Sequence, residues 1–266
     1  MLAILQQWSK LYNARYAYRI RDSNTETKQL MKLLELDQYI HWHRLKDENV
    51  VRVIFGSHPD AVKLTNASNL VFLIDSTYKT SRYMMSLLDI VGVTPTAMTF
   101  SATCVYFEGE RLNNVVWTLE WFWGIFLRRD TIPGVIVIDR DLTLMNAVNF
   151  FFPESTNLLC RFHINKNMKA KCKTLVGKKN AWDYVMEAWK SLVDCPTEIE
   201  YDDCLMKFEI VWSSWPMFVD YVKQTWLIPH RQRFVKAWMT KVMHLGNTTT
   251  NRYQNCKCIL VLIRTH

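Results

Sequence analysis

Two aspartates in this sequence each follow an apolar run, and carboxylates placed in this way could bind a metal ion. Asp75 follows residues 70–74, and Asp139 follows residues 134–138. Short apolar runs that are rich in β-branched side chains predict buried strands. Because an unpaired carboxylate is very costly to bury, we expect each aspartate at the rim of a sheet. Two strands of one sheet could therefore direct both carboxylates to one metal ion, although an Asp in this place also serves as a turn or cap residue.

The composition favours a large packed domain with a basic surface. The chain has 266 residues, of which 49% are hydrophobic and 13% aromatic, so disorder is not expected. The formal net charge of +8 predicts attraction to polyanions such as nucleic acid, although a basic protein without such a partner fits the charge equally well. The 7 cysteines are dispersed and odd in number, which is not typical of a disulfide framework and favours a reducing compartment.

Targeting and membrane signals are not evident in the sequence. The first residues lack the basic and apolar regions of a signal peptide, and no uncharged apolar run approaches the ~18 residues that cross a bilayer. We therefore expect a soluble intracellular protein without a membrane partner.

The region 1–68 predicts a helical extension that contains one short strand. Residues 1–20 and the segment Thr25–Leu45 have apolar side chains at near-helical spacing. Residues 50–55 predict a strand, and Pro59 lies in the first turn of a short helix that ends near Ala67.

The region 69–165 predicts three strands followed by helix, strand, helix and strand. The predicted strands cover residues 70–75, 84–93, 97–107, 134–139 and 157–160, and the predicted helices cover 111–128 and 142–150. This order resembles a ribonuclease H-like mixed sheet of five strands. In that sheet the first and fourth strands are neighbours, so Asp75 and Asp139 should meet at one rim.

The region 166–247 is expected to be an all-helical insertion. Its tryptophans are expected in the core rather than in base stacking. Its first part is strongly basic, and the lysines are either a solvated face or a track for phosphates. The lysines concerned include Lys166, Lys169, Lys171 and Lys173.

Several ordered motifs of this chain resemble the transposases of Mutator-like elements and the related far-red-impaired-response regulators of plants. Together they span about two thirds of the chain in family order, which is more specific than one short motif. The motifs are Asp75-Ser76-Thr77-Tyr78-Lys79-Thr80 with Arg82-Tyr83, Ile90-Val91-Gly92-Val93, Ile138-Asp139-Arg140-Asp141, Leu159-Cys160-Arg161-Phe162-His163 and the stretch 244–252.

The resemblance implies a DDE-type catalytic domain that cleaves and joins DNA strands. Asp75 and Asp139 would be the first two acids and would hold Mg²⁺ or Mn²⁺, in the manner of sites where two ions lie about 3.5–4 Å apart. Cys160 and His163 match the C-x-x-H element of the family. They provide only half of a four-ligand zinc site, so we expect no zinc, although Cys256 and Cys258 could in principle complete one.

Further implications of the resemblance concern partners and location. Lys79 and Arg82, together with the lysines of the helical insertion, are expected to contact DNA at transposon ends and target. A nuclear location and a homo-oligomer are both compatible with the family. Asp141 falls at a variable position and is expected to cap the following helix.

The sequence departs from the family pattern after Arg252. Gln254 stands where the family carries its third acid, and an amide brings no negative charge to a metal. Residues 248–266 are expected to be a truncated or altered final helix. We therefore predict a degenerate transposase domain with little or no activity. The alternative is a domesticated, non-catalytic DNA-binding or regulatory module, and a ribonuclease H-like nuclease of another family fits the ordered motifs less well.

Overall fold

The computed structural model describes residues 34–36, 38–47, 50–77, 86–107, 112–128, 131–176 and 179–250. The predicted N-terminal helix of residues 1–20 lies outside these ranges, as do Lys79, Arg82, Gln254, Cys256 and Cys258.

A seven-stranded mixed sheet forms the centre of the described chain, with the spatial order β1-β2-β5-β4-β3-β6-β7. The neighbours among β1, β2, β5, β4 and β3 pair antiparallel, in this spatial order. β3, β6 and β7 pair parallel. The strands are β1 (Ile40–Asp47), β2 (Val50–Ser57), β3 (Val71–Thr77), β4 (Ser86–Val93), β5 (Thr99–Phe107), β6 (Val135–Ile138) and β7 (Thr156–Leu159).

The mixed α/β class is confirmed, but the predicted number of five strands is wrong. Both additional strands come from the region 1–68. The strand predicted at residues 50–55 is confirmed as β2, whereas β1 was not predicted. Strand β1 replaces the end of the helix predicted over Thr25–Leu45, and β2 joins the sheet by pairing with β5. The side chain of Trp42 on β1 stacks on Trp121 with ring centroids 3.9 Å apart, which fixes this outer strand against the helical layer.

Three helices connect strands of the sheet, and further helices make up the region after β7. α1 (Pro59–Ala67), α2 (Leu112–Gly124) and α3 (Leu142–Phe151) connect strands. The helical region comprises α4 (Arg161–Val176), α5 (Lys179–Val193), α6 (Tyr201–Val211), α7 (Pro216–Val222), a π-helical turn (Lys223–Leu227), short turns at Ile228–His230 and Arg231–Arg233, and α8 (Lys236–Met239). Asp141 caps α3 by accepting a hydrogen bond from the Leu144 N–H at 2.7 Å, which confirms its predicted capping role.

The two faces of the sheet have different cores. One face carries the large core, in which Phe72 and Ile74 of β3 pack with α2, α3 and the helical region. The predicted burial of tryptophans is confirmed for Trp189, Trp212 and Trp226. The opposite face carries a small core whose members are Val71, Leu73, Val91, Val93, Val135, Val137, Leu158, Cys160 and Met239.

Two further findings concern the membrane and cysteine expectations. Within the described residues, no helix has the length and apolar character needed to cross a bilayer. Among the described residues, Cys160, Cys172, Cys195 and Cys204 are free thiols. The expectation that the cysteines do not form a disulfide framework stays a prediction for the whole chain.

Gly92 lies where the sheet leaves no room for a side chain. It pairs with Phe100 across β4 and β5, and a Cβ at this position would overlap the Phe100 ring. That ring also contacts Phe72 edge-on in the large core, so it has little freedom to move away. We expect Gly92→Ala to lower the free energy of unfolding by about 1–3 kcal/mol, measured by urea denaturation.

Gly124→Ala is the matched control for this substitution. A Cβ at Gly124 meets no atom within 4 Å, and the residue ends α2, so alanine there should be neutral or stabilise by up to about 1 kcal/mol. Equal losses of stability in both variants would contradict the proposed overlap at Gly92.

Candidate functional site

The parallel pairing of β3 with β6 brings Asp75 and Asp139 to the same end of the sheet. Leu73 is in register with Val137, and each aspartate lies two residues further along its strand. Side chains alternate between faces along a strand, so both carboxylates extend the row of the small core. The predicted neighbourhood of the two strands is confirmed. Asp139 directly follows β6 as predicted, but β3 continues to Thr77, so Asp75 lies within its strand rather than after it.

His163 joins the two carboxylates. Its Nε2 lies 3.7 Å from Asp75 Oδ1, and its Nδ1 lies 3.6 Å from Asp139 Oδ1. These separations exceed hydrogen-bond length, and Nδ1 is buried without a hydrogen-bond partner among the described residues. The ring is therefore held between two negative groups by charge rather than by directed hydrogen bonds. We call Asp75, Asp139 and His163 the acid–histidine cluster.

Burial and charge set the titration behaviour of this cluster. Burial raises the pKa of Asp75 to about 6; the nearby His163 opposes this rise and Asp139 adds to it. The pKa of His163 is raised to about 9, first by its interaction with the Cys160 sulfur and then, against the effect of burial, by the charges of Cys160, Asp139 and Asp75. His163 is consequently an imidazolium at neutral pH.

Cys160 connects the cluster to the stretch 244–250. Its sulfur accepts a hydrogen bond from the Thr250 N–H at 3.2 Å and lies 3.3 Å from Thr250 Oγ1. Burial acts to raise the pKa of the Cys160 thiol, but interactions with His163 and Thr250 outweigh it and the pKa is lowered. The C-x-x-H element and the Thr-Thr-Thr stretch, distant in sequence, thus meet at one sulfur atom.

Arg161 is a structural residue of this site that the sequence analysis did not single out. Its N–H donates to Thr248 O at 2.9 Å, and its Nε donates to Phe234 O at 2.8 Å. Its Nη1 forms an ion pair with Asp194 at 2.9 Å. The first residue of α4 therefore ties the acid–histidine cluster to two parts of the helical region and to the stretch 244–250. The available sequence signal was an Arg inside the C-x-x-H element.

A third carboxylate lies in the same row and was also missed. Asp89 of β4 is directly opposite Asp75 in the antiparallel register. Opposed residues of an antiparallel pair project from the same face, so Asp89 belongs to the carboxylate end of the small core. The sequence signal for Asp89 was a single acid within an otherwise apolar predicted strand. It was missed because the apolar residues on both sides predict the strand without any role for the acid.

The lysines of α4 do not all share one environment. Lys166, Lys169 and Lys173 are exposed and spaced by three and four residues, so they share one side of the helix. Lys166 is close enough to Asp75 to act against the rise of its pKa. Lys171 instead lies over the Tyr221 ring at 5.2 Å. Three of the four predicted lysines therefore form an exposed row on α4, and Lys171 lies toward α7 instead; DNA contact by these lysines stays a prediction.

The metal-binding capacity of the site rests on Asp75 and Asp139. Their oxygens are the hard donors that Mg²⁺ prefers, and one or two protein carboxylates suffice because this ion keeps several waters. In the described part of the chain, no group of three or more His, Cys, Asp or Glu side chains is arranged to hold a metal ion. A Mg²⁺ or Mn²⁺ ion on these two carboxylates therefore stays a prediction.

Comparisons with known proteins agree with the motifs of this site. The model of the MULE transposase domain family matches residues 71–167, which include all members of the acid–histidine cluster. Protein FAR1-RELATED SEQUENCE 6 of Arabidopsis thaliana is 25% identical over 186 residues, which is 69% of this chain and 24% of the relative.

Two more Arabidopsis thaliana proteins show similar likeness. Protein FAR-RED IMPAIRED RESPONSE 1 is 22% identical over 192 residues, covering 70% of this chain and 22% of the relative. Protein FAR1-RELATED SEQUENCE 5 is 20% identical over 184 residues, covering 68% of this chain and 23% of the relative. The matched region spans less than a quarter of the length of each of these relatives.

The titration of His163 tests the cluster directly. We expect its ring to titrate with a midpoint near 9 in wild-type protein, followed by the Cε1–H resonance in NMR spectra. Cys160→Ala should move the midpoint toward the ordinary histidine value of about 6.5 because it removes the largest favourable interaction of the imidazolium. His230 and His244 are internal references, since burial lowers the pKa of both. A wild-type midpoint near 6.5 would contradict this geometry.

The raised pKa of Asp75 predicts a pH-dependent penalty on stability. The folded state favours the protonated acid, so the stabilisation from this preference is fully present below pH 3.8 and is lost as pH rises through about 6. Asp75→Asn cannot ionise and keeps its stability, so its free energy of unfolding relative to wild type should rise by about 2.5 kcal/mol between pH 3.8 and pH 7.5. Urea denaturation at both pH values measures this gain. A wild-type–variant difference that does not change with pH would rule the penalty out.

Proposed function

We propose that this chain, whose residues 71–167 match the MULE transposase domain and which is similar to far-red-impaired-response proteins, is a degenerate DDE-type transposase core that binds DNA. The observation that carries the proposal is the convergence of Asp75 and Asp139 on His163. Two carboxylates on adjacent strands could hold a divalent ion of the kind used in metal-assisted phosphoryl transfer.

The strand order supports a ribonuclease H-like core. Without the two outer strands, the sheet has the order β5-β4-β3-β6-β7, with the central strand carrying the first acid. Numbered along the core alone, this order is 3-2-1-4-5, in which the first and fourth strands are neighbours as the resemblance predicts. β1 and β2 would then be an addition at the β5 edge.

The residues of the site suggest distinct roles in strand cleavage. Asp75 and Asp139 would hold Mg²⁺ or Mn²⁺, which supplies activation of the attacking oxygen and charge stabilisation of the leaving oxygen. His163 keeps the two carboxylates together by neutralising part of their mutual repulsion. Lys166, Lys169 and Lys173 would contact the phosphate backbone along the exposed side of α4.

Gln254 is the reason for proposing a degenerate core. It lies four residues after Thr250, whose backbone is anchored to Cys160 inside the cluster. An amide at the position of the third acid brings no charge to the metal, so affinity for a divalent ion and the rate of chemistry should both be low.

A domesticated module without catalysis is the second candidate. It is favoured by the similarity to Protein FAR-RED IMPAIRED RESPONSE 1 and to two proteins named as its relatives. Such a module would use the same basic surface to bind DNA in a regulatory role. DNA as a partner, a nuclear location and a homo-oligomer belong to both candidates.

Metal binding and DNA cleavage separate the two candidates. We expect calorimetric titration with Mn²⁺ to detect weak binding that Asp75→Ala abolishes, because the substitution removes one of the two anionic ligands. Asp203→Asn is the matched control, since it removes an exposed carboxylate of α6 and should leave the titration unchanged. Absence of Mn²⁺ binding in wild-type protein would favour the non-catalytic module.

A parallel assay addresses activity. Purified protein incubated with duplex DNA and Mn²⁺ should show no strand cleavage or joining. The same assay on Gln254→Glu tests whether the third acid is the only group that is missing. Cleavage by the wild-type protein that Asp75→Ala eliminates would overturn the proposed degeneracy.

A further inference from the structure

A second polar cluster lies beside the acid–histidine cluster and contains only basic side chains. Its members are Arg140, which directly follows Asp139, and His230 and Arg233 of the helical region. We call these three residues the cationic cluster. None of them belongs to the motifs from which the sequence analysis derived DNA contacts.

Contacts hold Arg140 against the helical region. Its guanidinium lies over the Trp226 ring at 4.9 Å from the centroid. Its backbone N–H donates to Asp139 Oδ1 at 2.6 Å, so its position is coupled to the second acid. Trp226 lies in the π-helical turn and His230 follows four residues later, so the segment that contacts Arg140 also carries His230.

Two inner atoms of the cluster, Arg233 Nη1 and His230 Nδ1, are buried and have no hydrogen-bond partner among the described residues. Buried polar atoms are usually paired, so a bound ligand could complete the hydrogen bonding of these two atoms. Burial lowers the pKa of His230, and the charges of Arg140 and Arg233 lower it further, so each guanidinium lies within electrostatic range of the His230 ring.

Carboxylates do not neutralise this cluster within the described chain. No ion pair there joins Arg140 or Arg233 to an acid, and the acidic neighbour Asp139 is engaged by His163 and by the Arg140 backbone. Arg140 is exposed, whereas Arg233 and His230 are partly buried behind it. The cluster therefore opens to solvent at one end and has unused donors at the other.

We propose that Arg140, His230 and Arg233 form a binding site for a phosphodiester group of a DNA strand. Guanidinium groups match the geometry of phosphate oxygens, and a tetrahedral anion could take up the orphan donors of Arg233 and His230 together. Because Arg140 follows Asp139, the bound strand would pass directly beside the acid pair. The inference rests on the proposed function for the identity of the ligand as DNA.

The test is the salt dependence of DNA binding, measured by fluorescence anisotropy with a labelled DNA duplex. Arg233→Ala should weaken binding about tenfold at low salt and reduce the slope of log affinity against log salt by about 1, the value for one lost phosphate contact. Arg140→Gln, an exposed position that should not affect folding, is expected to have a similar effect. Arg233→Lys should restore part of the affinity.

Arg231→Gln is the charge-matched control from the same helical turn. The Arg231 guanidinium lies over Tyr201 and Trp238, at 5.4 and 5.6 Å from their ring centroids, and thus has different partners. The substitution Arg231→Gln removes the same charge as Arg233→Ala but should change the affinity for DNA less than twofold. Equal effects of Arg231→Gln and Arg233→Ala would overturn the inference and leave the proposed function intact.

Titration with inorganic phosphate separates this inference from the proposed function. The Nε–Hε resonances of Arg140 and Arg233 should shift on addition of phosphate, and that of Arg231 should not. If those shifts occur but wild-type protein does not bind DNA, the cluster is an anion site and the proposed function fails. If phosphate shifts neither resonance, the inference is wrong whether or not DNA binds.

Discussion

The repulsion between two carboxylates at one end of the sheet is the constraint around which the site is built. Parallel register places Asp75 and Asp139 at the same level, and burial makes the charged form of Asp75 unfavourable. A cation must therefore lie between them, and the His163 ring does so with one nitrogen toward each acid. Without this ring, one of the acids would be protonated at a higher pH.

The position of His163 depends on contacts far from it in sequence. The ring belongs to the first turn of α4, and Arg161 fixes that turn to residues 194, 234 and 248. Cys160, at the end of the small core, adds the contact to Thr250. The helical region thus contributes to the site, because its contacts fix α4, the helix that carries His163.

Local patterns predicted the inner strands and the acid pair because their signals are strong and self-consistent. Apolar β-branched runs ended at Asp75 and Asp139, and ordered motifs connected them to the C-x-x-H element. The outer strand β1 was missed because the leucines that precede it have helical spacing. A register irregularity near Leu45 also breaks the alternation by which a strand is recognised.

Residues defined by tertiary packing could not be predicted in the same way. Arg233 and His230 have no motif, and their meaning comes from two buried donors that only the packed helical region brings to Arg140. Asp89 likewise gains its place from antiparallel register with Asp75. Sequence periodicity predicts which face a residue occupies, but not which distant residue shares its surroundings.

The proposed DNA contacts and the proposed chemistry depend on different side chains. The exposed lysines of α4 and the cationic cluster would bind phosphates, whereas cleavage would need a third acid where Gln254 stands. Loss of charge at this single position leaves every basic contact in place. A transposase core and a DNA-binding module could therefore share one surface and differ only in metal-dependent chemistry. Affinity for DNA alone cannot distinguish them, whereas the occupancy of the acid pair by a divalent ion can.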